Sequence, residues 1–313
     1  MSFTTDIKQE IANSKLEVHC QRAQLSALIQ LTSSLTISKG NLGILIRSES
    51  PTTSKRIMFL LKSLYDADTS LQVAKKTNLK KNNVYTIEIN EDGRKILEDL
   101  GLYSSRGLET HPGYEIIMRN CCAAAYLAGA FLAYGSCNDP TNTNYHLEIA
   151  LQEIEYANFI VKLISRFDMK AKIAKRRSRY IVYLKKADYV SDFLALIKAH
   201  DAMMRFEDER IARDLKNSLS RIDNCEIANV EKSIRAGQKQ LQAISKIIEH
   251  DKFDTMGEKL MNVADIRVRY PEASLLELCD FYQKNYGEVI SKSGMKHRLN
   301  KIESLADSLE EKE

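Results

Sequence analysis

Hydrophobic and polar positions follow a pattern that occurs twice along this chain, over residues 21–100 and again over residues 114–200. Strand-like segments carry an apolar residue at every second position, as from Leu42 to Ile46, which marks one buried face. Helical segments carry apolar residues three or four positions apart, as from Ile57 to Leu64. Each copy is therefore predicted to contain a helix, two strands, a second helix, two more strands and a closing helix.

Turn-forming residues set the element boundaries in the first copy. Gly40-Asn41 predicts a turn, because both residues tolerate positive φ. Pro51 with Ser50 as its cap predicts a helix start, and Gly101 predicts a helix end. The predicted elements are a helix over 21–33, strands over 35–39 and 42–47, a helix over 52–65, strands over 70–75 and 83–89, and a helix over 91–100.

The second copy repeats this order of elements. A tight basic turn at Arg177-Ser178 is predicted to join its last two strands. The predicted elements are a first helix over 114–134, a second strand over 146–151, a middle helix over 154–167, strands over 171–176 and 179–185, and a helix over 189–200. Because local identity between the copies is low, the repeat is inferred from element order and spacing.

Small residues recur every four positions along the first helix of each copy. They are Ala125, Gly129 and Ala133 in the second copy, and Ala23 and Ala27 in the first. This spacing leaves a flat strip on which two helix backbones can approach closely. We expect the two helices to pair and each to support a four-stranded sheet, so that the sheets form a concave saddle.

The segment Leu127–Gly135 resembles the LAGLIDADG signature of homing endonucleases. In that family the penultimate motif position is an acid that holds a divalent metal at the catalytic centre. The aligned positions are Tyr134 in the second copy and Thr32 in the first, and neither side chain has a carboxylate. Asp139 falls in the following loop. The resemblance therefore implies the fold without the nuclease activity, and no metal or other cofactor is predicted.

A charged helical region follows from Met204 onward. Asn224 is predicted to cap a helix reaching about Glu249, and a second helix is expected over 257–269, ended by Pro271. The apolar side of the first of these helices is predicted to comprise Ile227, Val230, Ile234, Leu241, Ile244 and Ile248.

Two further helices and a turn complete the C-terminal region. Ser274–Glu277 has the Ser-x-x-Glu form of a capping box, which predicts a helix from Leu275 to about Tyr282. A turn over 284–290 follows, and either Ser291 or Ser293 is predicted to cap the last helix, up to about Leu305. This arrangement is typical of a helix-turn-helix.

The last helix divides into an apolar and a polar face at about 100° per residue. Met295, Leu299 and Ile302 form the predicted core side. Short polar groups lie opposite with cations beside them, as DNA base edges and phosphates require; Asn300 could read adenine. The predicted DNA-binding residues are Lys292, Ser293, Lys296, His297, Arg298, Asn300 and Lys301, with Arg221, Asn229 and Lys232 on or beside the polar side of the helix predicted from Asn224.

Positive charge is concentrated in two runs, although the net charge is only +4. The segment 170–186 has eight basic residues and no acid, and 291–301 has four with His297 and no acid. Such runs favour phosphate binding. The first run predicts a second DNA surface or a partner surface comprising Lys172, Lys175, Arg176, Arg177 and Arg179. Glu88 and Glu148, expected to face outward, would oppose DNA there.

Composition narrows the class of protein further. With 44% hydrophobic and 28% charged residues, the chain can form cores. The six cysteines show neither a C-x-x-C pair nor zinc-finger spacing with histidine, so free thiols in a reducing cytoplasm are expected. Neither a signal peptide nor an apolar run long enough for a membrane span is evident. We expect a cytoplasmic, nucleoid-associated protein without membrane partners.

A degenerate two-repeat LAGLIDADG scaffold followed by a helix-turn-helix closely resembles the bacterial WhiA regulators. The segments that carry the resemblance are 126–133, 138–140, 224–232, 271–278 and 290–299. The resemblance implies an α+β fold with two αββαββα repeats and an all-α C-terminal domain. It implies a saddle domain over 1–210, a linker over 211–223 and a DNA-binding domain over 224–313, its helix-turn-helix at about 274–306.

The same resemblance implies a function and leaves two alternatives. It implies a non-catalytic regulator that binds double-stranded DNA and influences cell division and chromosome segregation, with sporulation in some lineages. Transcription machinery or a co-regulator would be a protein partner. The alternatives are an active site-specific endonuclease and a protein-interaction scaffold whose helix-turn-helix is vestigial.

Overall fold

The computed structural model describes residues 2–38, 41–75 and 83–310. It divides into two compact units, Met1–Ala212 and Arg213–Glu313. The predicted turn residue Gly40 and the predicted strand end Lys39 lie outside the described residues.

An N-terminal helix that the sequence pattern did not predict comes first. Helix α1 spans Phe3–Asn13, and the Ser2 hydroxyl accepts a hydrogen bond from the Thr5 amide at its start. Phe3, Ile7 and Ile11 are buried on one face, at the i, i+4, i+8 spacing of an amphipathic helix. This helix adds to the core of the first unit.

The first repeat has the predicted element order. Ser50 caps its middle helix by accepting from the Thr53 amide, and Gly101 takes a φ of 69° after the closing helix. Its elements are α2 (Val18–Thr32), β1 (Ser33–Ser38), β2 (Asn41–Ser48), α3 (Pro51–Tyr65), β3 (Ser70–Lys75), β4 (Asn83–Ile89) and α4 (Gly93–Asp99). The sheet is antiparallel, with strand order β1-β2-β4-β3.

A short hairpin joins the two repeats. Strands β5 (Tyr103–Ser104) and β6 (Gly107–Leu108) form it, and α5 (Tyr114–Ile117) follows. The single helix predicted over 114–134 is wrong: Arg119 takes an extended conformation with ψ of 145°, so the chain breaks before the next helix begins.

The second repeat reproduces the sheet of the first. Its elements are α6 (Asn120–Tyr134), β7 (Gly135–Cys137), β8 (Leu147–Leu151), α7 (Ile154–Ser165), β9 (Lys172–Arg176), β10 (Arg179–Leu184) and α8 (Ala187–Leu196). The strand order β7-β8-β10-β9 matches that of the first sheet, which confirms the predicted repeat. Arg177 has a φ of 56° in the predicted tight turn.

Helices α2 and α6 pack against each other in the centre of the first unit. Ala23 and Ala27 are fully buried on α2. A Cβ atom added at Gly129 would lie 2.5 Å from the Gln24 carbonyl oxygen and 2.9 Å from the Ala27 Cβ. The small-residue strip thus permits backbone contact between the repeats, as its spacing predicted.

Buried polar groups also connect helices of this unit. Arg56 is 5% exposed, and its Nε donates to the Gln24 side chain at 2.7 Å while its Nη1 donates to the Ala12 carbonyl at 3.0 Å. Burial lowers the pKa of the Arg56 guanidinium. The Tyr126 and Tyr156 hydroxyls form a buried 2.7 Å hydrogen bond.

One long helix, α9 (His200–Glu249), contradicts the helix start predicted at Asn224. The expected cap residue Asn224 lies inside it, and so does the expected linker over 211–223. No proline or glycine occurs between 200 and 236, so nothing in the backbone chemistry interrupts the helix.

The predicted apolar side of this helix is only partly buried. Ile244 is 1% exposed, whereas Ile227 and Val230 are each 58% exposed and Ile248 is 51% exposed. Ile247, which the prediction did not include, is buried instead. Of the predicted apolar side, only Ile244 is therefore fully buried, and Leu241 is partly buried.

The remaining helices of the second unit form a small core with the end of α9. They are α10 (Glu258–Arg269), α11 (Leu275–Tyr286) and α12 (Lys292–Glu310), preceded by a one-turn 3-10 helix at Phe253–Thr255. Helices α11 and α12 extend past their predicted ends by about one turn each. In the described part of the chain, no helix is both long enough and apolar enough to cross a bilayer.

Candidate nucleic-acid interface

Helices α11 and α12 and the turn between them are fixed by local chemistry. Both hydrogen bonds of the predicted capping box are present: the Ser274 hydroxyl accepts from the Glu277 amide, and Glu277 accepts from the Ser274 amide at 2.8 Å. This bond lowers the pKa of Glu277. Gly287 ends α11 with a φ of 70°, a conformation that favours glycine. The Ser291 hydroxyl, and not that of Ser293, accepts from an amide of α12, that of Gly294.

The two faces of α12 are those that its sequence predicted. Met295, Leu299 and Ile302 are each 0% exposed and join the core of the second unit. The side chains on the opposite face and its flanks are exposed to solvent. They are Lys292, Ser293, Lys296, His297, Asn300 and Lys301. One exposed surface, which we call the α12 face, thus combines short polar groups with cations.

Arg298 differs from the other predicted DNA-binding residues because it is partly buried. Its Nη1 donates to the Tyr282 hydroxyl at 2.9 Å, and its guanidinium lies 5.4 Å from the centre of that ring. Arg298 therefore holds α12 against α11.

A buried arginine fixes the connection that precedes α11. Arg267 is 2% exposed, and its Nη1 donates to the backbone carbonyls of Tyr270, Pro271 and Ala273, the last at 2.8 Å. Burial lowers the pKa of this guanidinium. Sequence reasoning missed this residue, because a single arginine in a charged helix gives no sign of burial.

The second unit has other polar contacts that position its helices. Lys239 on α9 pairs with Glu303 on α12 at 2.8 Å. The Tyr286 hydroxyl donates to Asp265 on α10; burial, followed by this carboxylate, raises the pKa of Tyr286 to about 12.

Three predicted DNA-binding residues lie on a different element. Arg221, Asn229 and Lys232 are exposed on α9. The structure thus places them on the long helix, whereas the other seven predicted residues share α12.

The basic run of the second repeat lies on its outer hairpin, and its five predicted residues are all exposed. Cross-strand partners in a sheet face the same side. The register pairs Arg179 with Arg176, and it pairs Tyr183 with both Lys172 and Glu148. Lys172, Arg176 and Arg179 therefore share one sheet face, whereas Lys175 lies on the other face and Arg177 in the turn.

Glu148 occupies the same outer face as these three cations. His146 contacts its carboxylate at 2.8 Å, and the Ser136 hydroxyl donates to it at 3.4 Å. The acid expected to oppose phosphates is therefore present there, and two neighbouring side chains bind it.

The two positions that carry the catalytic acids in the endonuclease family are occupied here by Thr32 and Tyr134. The Thr32 hydroxyl donates to the Leu28 carbonyl at 2.7 Å within its own helix. The Arg179 guanidinium lies 5.9 Å from the centre of the Tyr134 ring. The Thr32 side chain is thus hydrogen-bonded to the backbone of its own helix, and the Tyr134 ring has a cation beside it.

Asp139, the acid that follows the motif, is bound by neighbouring side chains and backbone. It accepts hydrogen bonds from the Thr141 hydroxyl and amide, and these bonds lower its pKa. Arg205 lies 3.5 Å from its other carboxylate oxygen. Asp139 therefore stabilises the loop after β7.

Two sheets of identical strand order around a close helix pair, followed by a capped helix-turn-helix, define a class: a degenerate LAGLIDADG scaffold joined to a helix-turn-helix domain. Three family models match in the same order. They are the WhiA N-terminal LAGLIDADG-like domain over residues 18–103, the WhiA LAGLIDADG-like domain over 123–216 and the WhiA C-terminal HTH domain over 219–306.

Similar proteins cover nearly the whole chain. The probable cell division protein WhiA of Bacillus cereus strain B4264 is 41% identical over 310 residues, which is 99% of this chain and 97% of that protein. The protein of the same name from Bacillus anthracis strain CDC 684 gives the same values. The chain belongs to the WhiA family, as the resemblance in its sequence predicted.

A solved structure supports the fold. Full-length WhiA from Thermatoga maritima matches with a TM-score of 0.59 at 23% identity, over 98% of this chain and 99% of that one. The predicted α+β fold class, with a LAGLIDADG-like scaffold and a helical C-terminal domain, is confirmed.

Proposed function

We propose that this protein is a non-catalytic regulator that binds double-stranded DNA through the α12 face and acts in cell division and chromosome segregation. The observation that carries the proposal is the separation of α12 into a fully buried apolar side and an exposed side that is polar and cationic. A recognition helix needs short polar groups that reach base edges and cations that reach phosphates. The relatives named as probable cell division proteins support the cellular role.

Within this proposal the residues of the α12 face have distinct roles. Ser293, His297 and Asn300 contact bases, and Asn300 can form a bidentate pair with adenine. Lys292, Lys296 and Lys301 bind phosphates as point charges. Arg298 orients the helix through Tyr282 and adds a phosphate contact at the edge of the face.

The first test concerns Lys296 and Lys301, which are exposed on the flanks of this face. Each lysine that binds a phosphate contributes about 0.9 to the slope of log K against log salt. We expect Lys296→Gln with Lys301→Gln to weaken DNA binding and to reduce that slope by about 1.8. Fluorescence anisotropy of labelled duplex DNA at several salt concentrations measures both quantities.

The matched control changes two exposed lysines of the same unit, Lys252→Gln with Lys259→Gln. It removes the same charge, and its slope should equal that of the unmodified protein. Equal slopes in all three proteins would favour a protein-interaction scaffold with vestigial DNA binding.

We also propose that the chain does not cleave DNA. The positions of the two family acids hold Thr32 and Tyr134, and a cation lies beside the latter. Incubation of the protein with genomic DNA and Mg²⁺ should yield no products beyond those of a protein-free sample. Cutting that Asp139→Ala abolishes would instead support a site-specific endonuclease.

The first unit has a supporting role in this proposal. The outer sheet face with Lys172, Arg176 and Arg179 offers a second surface for DNA or for a protein of the transcription machinery. We propose domains over 1–210 and 224–313, with the helical segment 211–223 between them, and a cytoplasmic, nucleoid-associated location.

A further inference from the structure

Two pairs of adjacent residues with metal-binding side chains lie in the first turns of α2 and α6. They are His19-Cys20 and Cys121-Cys122, about one hundred residues apart in the chain. One ligand atom from each of the four side chains lies within 4.8 Å of all the others. The His19 Nδ1 is 3.2 Å from the Cys20 Sγ and 3.3 Å from the Cys122 Sγ. We call these four residues the His-Cys cluster.

The cluster arises from the packing of the two repeats. Adjacent side chains on one helix point about 100° apart, so a single helix cannot bring four such groups together. Here the first turns of two helices meet, and each contributes one pair. The Gly129 contact described above, further along α6, holds the two helices at the short separation that this meeting requires.

The cluster is separate from the position of the endonuclease metal. Thr32 and Tyr134 are the last residues of α2 and α6, whereas the cluster lies in the first turns. Twelve or thirteen residues at 1.5 Å each place the cluster about 18 Å from those positions along the helices.

We propose that His19, Cys20, Cys121 and Cys122 bind one Zn²⁺ ion as a closed, tetrahedral structural site. Zinc prefers three or four thiolate and imidazole ligands, with Zn–S of about 2.3 Å and Zn–N of about 2.0 Å, which sets neighbouring ligand atoms about 3.7 Å apart. The separations in the cluster, from 3.2 Å to at most 4.8 Å, bracket that value. Binding releases the thiol protons to solvent.

The chemistry of the donors favours zinc over the cations that DNA-cleaving enzymes use. Mg²⁺ and Ca²⁺ bind oxygen ligands, and the cluster offers sulfur and nitrogen. Four protein ligands leave no open position for a reacting water, so the ion would stabilise the fold and not catalyse a reaction. It would fasten the first repeat to the second at the N-terminal ends of their central helices.

The surroundings of the cluster permit entry of the ion. Cys20 and Cys122 are buried and His19 is partly buried, whereas Cys121 is exposed. Cys20 and Cys121 also line a small cavity of about 70 Å³. An ion can therefore enter past Cys121 and meet ligands that the fold already holds together.

The test begins with the metal content of the full chain. The protein is purified with a phosphine reductant, equilibrated with excess Zn²⁺ and passed through gel filtration. We then expect one zinc per chain by inductively coupled plasma mass spectrometry. Titration with Co²⁺ should give sulfur-to-cobalt charge-transfer bands and the visible spectrum of tetrahedral cobalt. Removal of zinc by a strong chelator should lower the Tm of the protein.

Two variants and a control connect these signals to the cluster. Cys121→Ser changes an exposed side chain and should leave the fold intact, yet it should reduce retained zinc to less than about one tenth per chain because a closed site needs all four ligands. Cys20→Ser should do the same. Cys225→Ser, an exposed cysteine on α9, should retain one zinc.

Four outcomes would overturn the proposal. The unmodified chain could retain no zinc, or both cluster variants could retain as much as Cys225→Ser. Iron and sulfide with visible absorption would instead assign the cluster to an iron–sulfur centre. A disulfide among Cys20, Cys121 and Cys122, found by mass spectrometry after alkylation under reductant-free conditions, would replace a metal site with a covalent one.

Discussion

Gly129→Val is expected to lower the free energy of unfolding of the first unit by about 3–5 kcal/mol, because the new side chain would enter a contact between backbones. Its Cβ would lie 2.5 Å from the Gln24 carbonyl oxygen and 2.9 Å from the Ala27 Cβ, and neither can move without displacing α2. Gln24 also accepts a hydrogen bond from buried Arg56, so displacement of α2 disturbs a second contact. Urea unfolding followed by circular dichroism measures the loss.

A valine at an exposed helical position separates this packing effect from helix propensity. Ala236→Val on α9 should cost only about 0.5 kcal/mol, since the side chain is exposed there. If Gly129→Val were no more destabilising than this control, the two repeats could not be in close backbone contact.

Arg267→Ala is expected to destabilise the second unit by about 3 kcal/mol or more. The Tm falls, and DNA binding is expected to be lost at temperatures near this lowered Tm. The change removes the donor for three backbone carbonyls and leaves a buried space where the side chain was. These carbonyls form the connection between α10 and α11, so α11 loses its fixed orientation and the α12 face loses its support. Differential scanning calorimetry and anisotropy with duplex DNA measure the two effects.

Arg269→Ala is the matched control on the same helix. Arg269 is 57% exposed and pairs with Asp265 one turn away at 2.9 Å, so its loss should cost only about 0.5 kcal/mol. Equal effects of the two alanine variants would contradict the structural role assigned to Arg267.

Local chemistry made part of this fold predictable from the sequence. The bounds of β3 and β4 agree with the prediction; in β4 the alternating apolar residues Ile87 and Ile89 are buried, whereas β3 is exposed along its whole length. The starts of α3 and α11 agree because Ser50 and Ser274 are caps with a specific hydrogen-bond geometry. The repeat followed from element order, although no residue-by-residue identity supported it.

The missed elements depend on contacts that the local pattern does not contain. Helix α1 has only three buried residues, and its stability comes from packing in the core of the first unit. The continuity of α9 was missed because Asn224 can cap a helix but can also lie within one, where its side chain is exposed. Whether α1 forms, and whether Asn224 begins a helix or lies within one, cannot be decided without knowledge of the tertiary contacts.

The two faces of α12 could be predicted from the sequence, but the contacts that α12 makes with other helices could not. The apolar spacing of α12 assigned Met295, Leu299 and Ile302 to the core, and the exposed face followed. The partners of Arg298 could not be predicted, because the tyrosine that it contacts lies sixteen residues away on another helix. The His-Cys cluster was missed for a related reason: the known zinc spacings lie within one local segment, whereas this cluster joins two repeats.

The close approach of α2 and α6 also limits how the chain can be divided. Gly129 on α6 lies directly against Gln24 and Ala27 on α2, so a fragment carrying one repeat would expose an apolar, flat surface that fits its own counterpart. Such a fragment would self-associate, and two copies of it would rebuild the helix pair as a symmetric homodimer. The doubled architecture thus holds, within one polypeptide, the geometry that two separate copies of one repeat would form.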